Sequence, residues 1–211
     1  IASRLGLPLG RVKNWAYRGG FPQLLTSHKR SFLPTTREER LSFAYLLGVY
    51  SSDSGSSGQP KERFTKKISD YPLRSRVLEN GRVLLGAILE ERGNGIHIAD
   101  GNVAKVLHHC LMREFASYVF TDNERVAYLQ GFFDSSDCKI AEGKRGGTYK
   151  VSRENPTFFF LFARTLFELG IFPRLDEKRM HIYIGGELDL QRFYDLRLDM
   201  KKKHRAALAS Y

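Results

Sequence analysis

A chain of 211 residues with 42% hydrophobic content is long enough for one sizeable core, or one core with a small appendage, and excludes wholesale disorder. No apolar run reaches membrane-spanning length and no N-terminal signal region is seen, so an intracellular setting (cytoplasm, nucleoid or organelle) is expected, with no membrane partner. Thirty-four Lys plus Arg against twenty-three Asp plus Glu leave a net charge of +11, interleaved with Tyr and Phe, which points to a polyanionic partner.

In chain order, the first segment (1–34) reads as a partial helix-turn-helix and linker. Ala2, Leu5, Val12 and Trp15 supply apolar contacts, Gly6-Leu7-Pro8 makes the turn, and Leu9 to Arg18 is the candidate recognition helix. Val12 and Trp15 inward leave Arg11, Lys13, Asn14, Tyr17 and Arg18 outward, toward base edges and phosphates. An ordinary hairpin with a basic outer face is the alternative. The motif begins partway in at Ile1, so an upstream continuation is expected.

Two related apolar stretches follow, Tyr45 to Asp53 and Tyr128 to Asp137, each preceded by a capping-box spacing, Thr36-x-x-Glu39 and Thr121-x-x-Glu124. Each carries a glycine with a small residue four places on, Gly48/Ser52 and Gly131/Ser135. That spacing lays a flat strip along one helix face, so two such helices can pack backbone to backbone with their terminal acids side by side.

After the first copy, Ser51 to Pro60 reads as a loop or hairpin tip, and Lys61 to Ser69 as a strand. In that strand Phe64 and Ile68 face one way and Arg63, Thr65 and Lys67 the other. A helix over 70–85, two short strands (87–92 and 96–99) about Gly93-Asn94-Gly95, and a helix over 102–118 complete a first half, 35–120. The second half, 121–211, repeats the order. A strand over 148–152 presents Thr148 and Lys150 outward. A helix over 156–169 is capped by Gly170. Strands over 172–176 and 180–184 precede a final helix from Glu187. Local echoes (Leu85-Gly86 with Leu169-Gly170, Ile96-His97-Ile98 with Ile182-Tyr183-Ile184) support a true duplication, and hence one pseudo-symmetric domain.

Three other features carry bland readings. His108-His109 lacks a third ligand and reads as helix surface. Phe158-Phe159-Phe160-Phe162 reads as core rather than a base-stacking platform. Cys110 and Cys138 have no metal-ligand spacing and fit a reduced compartment, Cys138 as a small buried residue.

With its two motifs, LLGVYSSDS and LQGFFDSSD, and the flanking runs LFELGIFPRL and MKKKHRAAL, the chain from about Thr36 onward resembles the single-chain LAGLIDADG homing endonucleases. The resemblance implies an α+β fold, a saddle of two αββαββα halves preceded here by the helix-turn-helix segment. It also implies a monomer with internal pseudo-two-fold symmetry, and double-stranded DNA lying along the sheets. Readout would fall to Arg63, Thr65, Lys67, Thr148 and Lys150. The motif acids, Asp53 and Asp137, would hold Mg²⁺ or Mn²⁺ over the scissile phosphates, with Lys202 beside the cut phosphate. A divalent ion neutralises phosphoryl charge and suits oxygen ligands. Lys202 alternatively belongs to a solvated basic tail that binds phosphate without catalysis.

This chain departs from the family pattern in one informative place. The family's acid falls five residues after the glycine: Asp53 after Gly48, but Ser136 after Gly131, with Asp137 one place late. Ser54 and Asp137 stand where the family has glycine. A one-residue slip rotates a helical side chain by about 100°. Asp134, three residues after Gly131, is expected on another face as a surface or capping group. Two functions therefore stand: a metal-dependent DNA endonuclease weakened at motif two, or an inactive DNA-binding, transcription-regulator-like descendant. A third reading, an RNA maturase, rests on the same saddle accepting structured RNA.

Overall fold

The computed structural model describes residues 33–53, 64–68, 70–85, 89–98, 101–135, 139–143, 146–152, 156–196 and 198; for residues 53, 64, 65, 101, 102, 139–143, 146–150 and 152 the backbone is described. The chain divides between Leu33 and Pro34 into two units, and the described residues from Pro34 onward belong to the second. The predicted helix-turn-helix lies outside the described residues.

Helix α1 (Arg37–Asp53) starts at the expected capping box. Thr36 Oγ1 accepts from the Glu39 amide at 3.2 Å, while Glu39 Oε2 accepts from the Thr36 and Thr35 amides and the Thr35 hydroxyl. These bonds, led by the Thr35 hydroxyl, hold the Glu39 carboxyl down to about 2. From Ser42 to Ser51 the helix is buried on every side, which explains why its sequence shows no apolar stripe. Strand β1 (Phe64–Lys67), helix α2 (Tyr71–Leu85), strands β2 (Leu89–Arg92) and β3 (Gly95–Ile98) and helix α3 (Gly101–Arg113) complete the first half. The strands form an antiparallel sheet in the order β1-β3-β2. The β2–β3 turn is Gly93-Asn94, with Gly93 at φ 56°, a conformation a side chain would strain.

The expected single helix over 102–118 is broken at Glu114, after which a short helix α4 (Phe115–Tyr118) begins. The break re-aims Phe115, whose ring meets that of Tyr128 at 5.0 Å, so the linker is pinned beneath the next helix.

Helix α5 (Asp122–Ser135) opens the second half on its own capping box, with Glu124 Oε2 accepting from the Thr121 and Phe120 amides at 2.9 Å. Strands β4 (Lys139–Gly143) and β5 (Gly146–Ser152), helix α6 (Pro156–Glu168), strands β6 (Arg174–Asp176) and β7 (His181–Ile184) and helix α7 (Glu187–Asp195) follow. The sheet order is β4-β5-β7-β6, antiparallel throughout. Strand β4 was not anticipated; its segment, Cys138-Lys139-Ile140-Ala141-Glu142-Gly143, has too little alternation to read as a strand, and its pairing with β5 is tertiary. Helix α6 ends as expected at Gly170 (φ 74°), where the Ile171 amide reaches back to the Leu166 carbonyl at 2.9 Å.

The aromatic run on α6 divides. Phe158, Phe159 and Phe162 are fully buried, whereas Phe160 is 49% exposed, because a helix cannot turn four aromatics of that spacing onto one side. His108, expected on the surface, is half-buried between the rings of Tyr50 and Phe158; its neighbour His109 is exposed. Cys110 is buried, and burial first, then the Glu114 charge, pushes its thiol up to about 12, which removes it from chemistry.

Candidate nucleic-acid interface and motif helices

The two motif helices cross with their backbones in contact. A Cβ on Gly48 would lie 2.0 Å from the Tyr128 carbonyl oxygen, and one on Gly131 would lie 2.0 Å from the Tyr45 carbonyl oxygen. The relationship is reciprocal, as a two-fold axis between the helices requires. One turn on, Ser52 Oγ and Ser135 Oγ stand 2.6 Å apart, two residues separated by 83 positions. The Ser52 hydroxyl is also 2.8 Å from the Val49 carbonyl and the Ser135 hydroxyl 2.6 Å from that of Gly131. Two hydroxyl protons thus serve three short contacts, and one serine gives up its backbone bond to donate across the axis.

This contact sets the register of motif two through Ser135. Asp53 is the last residue of α1, whereas α5 ends at Ser135; in the sequence the residue 83 positions after Asp53 is Ser136. Ser136 and Asp137 lie outside the described residues, and of Asp53 the backbone alone is described.

Asp134 overturns its expectation as a surface group. It is 1% exposed, because α5 is enclosed by first-half helices on the side where Asp134 points. Its Oδ2 accepts from the Tyr45 hydroxyl at 2.8 Å, Arg76 Nη1 donates to both oxygens at 3.1–3.2 Å, and Gln130 Nε2 donates to Oδ1 at 2.7 Å. Burial pushes the Asp134 carboxyl above the usual range, opposed by Tyr45, Arg76 and Gln130. Burial and the Asp134 charge together push the Tyr45 phenol far up as well. A carboxylate so enclosed does not fit a metal ion; it ties the halves together. A second tie joins Arg40 of α1 to Glu124 of α5, Nε to Oε1 at 2.6 Å. Burial alone would raise the Glu124 carboxyl, but Arg40 and the capping amides hold it below the usual range. Sequence reasoning missed Arg76, Tyr45 and Asp134 as a group; no local signal links residues so far apart in the chain.

Among the described residues, no group of three or more His, Cys, Asp or Glu side chains could hold a metal ion. Of the other predicted site residues, Arg11, Lys13, Asn14, Tyr17, Arg18, Arg63 and Lys202 lie outside the described residues. Thr65 and Lys67 fall on β1, opposite His97 and Gly95 of β3, and Lys67 is exposed. Thr148 and Lys150 fall on β5, Lys150 opposite Tyr183 of β7.

The ladders expose a row that sequence reasoning passed over. In β7, Ile182 and Ile184 are fully buried, so alternation puts Tyr183 and His181 on the opposite face. Tyr183 is paired with Arg174 of β6, whose guanidinium carbon sits 4.7 Å from the ring centroid. In the first sheet the corresponding pair is His97 with Glu90, and Glu90 is bound by Arg92 at 2.8 Å. Equivalent rows therefore carry opposite charge. The period-two alternation of His181-Ile182-Tyr183-Ile184 was the available signal.

At the level of sequence, no protein-family model and no curated protein matches this chain. Among solved structures, the chain is similar to the homing endonuclease I-DmoI in complex with DNA and calcium, at 16% identity and a TM-score of 0.51, over 82% of this chain and 98% of that one. It is similar also to an I-DmoI variant bound to target DNA nicked in the coding strand, in the presence of manganese (14% identity, TM-score 0.50, 77% of this chain and 98% of that one). The N-terminal LAGLIDADG domain of DUF199/WhiA matches at 15% identity and a TM-score of 0.51, over 81% of this chain and 86% of that domain. With the reciprocal glycine contact and the two antiparallel sheets, these likenesses establish that the chain has the LAGLIDADG homing-endonuclease fold.

Proposed function

We propose that this protein binds a specific duplex DNA site along its two sheets and cleaves it weakly in a metal-dependent reaction. The observation that supports DNA binding best is the glycine-notched helix crossing between two antiparallel sheets, in a chain of net charge +11. The I-DmoI structures of this fold hold DNA, with calcium in one and manganese in another. In this reading Lys67 and the β1 and β5 positions Thr65, Thr148 and Lys150, with Arg63, contact the duplex. The basic segment Arg11, Lys13, Asn14, Tyr17 and Arg18 adds phosphate and base contacts. The protein acts as a monomer.

Asp53 and Asp137 would hold the divalent ion, Mg²⁺ or Mn²⁺, with Lys202 beside the cut phosphate. The ion supplies charge neutralisation at the phosphoryl group. The chain's own contribution is positional: the Ser52–Ser135 contact keeps the two helix ends together, and Asp53 follows Ser52 as the last residue of α1.

A second reading, a DNA-binding regulator without cleavage, is favoured by the sequence spacing, in which Ser136 stands five residues after Gly131, where the motif-two acid is expected. One experiment separates the two: selection of a bound duplex from a random library, then a plasmid-nicking assay on that site with Mg²⁺ and Mn²⁺. Nicking by the wild type that vanishes in Asp53→Asn, with binding retained or tightened, supports the nuclease. Binding without nicking supports the regulator. Failure to select any duplex sinks both and leaves structured intron RNA to be tried as competitor.

A further inference from the structure

We infer that Arg174, propped on the Tyr183 ring, is a guanine-reading residue of the second sheet; the inference rests on the duplex-DNA reading above. Arg174 sits on β6 in the ladder position opposite Tyr183, with its guanidinium carbon 4.7 Å from the ring centroid. The side chain is exposed on the face away from fully buried Ile182 and Ile184, the face that meets the duplex in that reading. Three observations distinguish it from the other arginines of the sheet faces.

First, its charge is not consumed. Asp176, two residues along the same strand and on the same face, is engaged with Arg179, whose amide donates to Oδ1 at 3.2 Å and whose Nε lies 3.9 Å from Oδ2. Among the described residues Arg174 makes no ion pair, whereas Arg92 of the first sheet is held by Glu90 at 2.7–2.8 Å. Second, its platform is fixed. The Tyr183 hydroxyl lies 3.2 Å from His181 Nδ1, and the two rings meet edge to face at 5.9 Å, so the tyrosine has a defined plane on which a guanidinium stacks. Third, the guanidinium carbon lies over the ring and no described residue accepts a hydrogen bond from the Arg174 N–H groups, which leaves them available to a ligand. A free N–H fork in a fixed plane matches the paired acceptors O6 and N7 that guanine presents in the major groove. A phosphate contact would need the charge but not the plane.

The row's counterpart in the first sheet, Glu90 with His97, cannot read guanine in this way, since a carboxylate accepts rather than donates. The two half-sites of the DNA are therefore read unequally despite the pseudo-symmetry of the protein.

The test is selection from a random duplex library with the wild-type chain and with Arg174→Ala, Arg174→Lys and Tyr183→Leu, each first checked for wild-type unfolding behaviour. The wild type is expected to demand guanine at one position of one half-site. Arg174→Ala should weaken binding to the selected site by about 5- to 150-fold, the ratio that one bidentate base contact of ~1–3 kcal/mol represents, and flatten preference at that position alone. Arg174→Lys should keep the salt dependence of binding while losing much of the guanine preference, and Tyr183→Leu should do the same to a lesser degree. The inference is overturned if Arg174→Ala weakens all sequences equally and reduces the salt slope by about one, the signature of a phosphate contact. If the wild type selects no duplex, the DNA-binding reading fails together with this one; if it selects a site whose base preferences survive Arg174→Ala, this inference alone fails.

Discussion

Arg76 of the first half and Asp134 of the second meet across the pseudo-dyad, guanidinium nitrogen to carboxylate oxygen at 3.1 Å, with the Asp134 side chain 1% exposed. The bond has no symmetric partner, since the residue matching Asp134 in the first motif, 83 positions earlier, is the uncharged Ser51. An asymmetric buried pair of this kind selects one mutual arrangement of two otherwise similar halves.

Removing Arg76 strands that carboxylate. Arg76→Leu is expected to lower stability by about 3 kcal/mol, and the double variant Arg76→Leu/Asp134→Leu to recover part of the loss. The deficit should depend on pH in a defined direction. Burial already raises the Asp134 carboxyl, so its contribution is greatest at low pH and declines as pH rises through its folded-state value. Without Arg76 that value climbs further. Chemical denaturation should therefore show a larger deficit at pH 8 than at pH 5; a deficit that shrinks with rising pH would contradict the assignment.

The acid side of the stability profile should be governed in part by Glu124. Its carboxyl is held below the ordinary value by Arg40 and two capping amides, against the effect of burial, so its stabilisation is complete above about pH 4.5 and is lost as pH falls through the folded-state value. Glu124→Gln keeps an acceptor for the cap but turns an N–H toward Arg40. A loss of about 2 kcal/mol at pH 7 is expected, with a shallower decline below pH 4.5 than in the wild type, read by urea titration across that range.

Two glycines, both buried in helices, should answer alanine differently. Gly48→Ala drives a methyl to within 2.0 Å of the Tyr128 carbonyl, part of the partner helix's backbone, which cannot yield without separating the two halves. At least about 3 kcal/mol should be lost. At Gly81 the nearest atom is the Leu89 methyl end at 2.2 Å, a rotamer change away from relief, and alanine gains about 1 kcal/mol of helix propensity. Thermal unfolding should find Gly81→Ala near the wild type and Gly48→Ala far below it.

Register decides the last prediction. If the Ser52–Ser135 contact carries motif two one residue further in step with motif one, then restoring the acid by Ser136→Asp should raise nicking of a selected site at least about tenfold. Asp137→Asn should then be tolerated in that background. If instead Ser136→Asp is inert and Asp137→Asn abolishes nicking, the end of α5 is slipped.

Sequence reading reached the elements whose causes are local. The two capping boxes name their helix starts because Thr and Glu three residues apart satisfy each other's amides wherever they occur. Gly170 ends its helix and Gly93-Asn94 turns its hairpin for similarly short-range reasons. The glycine-and-serine strips declared that two helices would touch, because the absence of side chains is itself a steric instruction. What a one-dimensional pattern could not contain was partner choice. Asp134 looks like any carboxylate near a helix end, and it becomes a buried clasp because Tyr45 and Arg76 arrive from elsewhere in the chain. Arg174 and Tyr183 likewise lie in strands that were recognised, yet only the ladder register puts guanidinium over ring and leaves Glu90 at the matching place in the other sheet. Local bonds depend on spacing along the chain, whereas pairing across the dyad depends on which faces the packed helices leave toward each other.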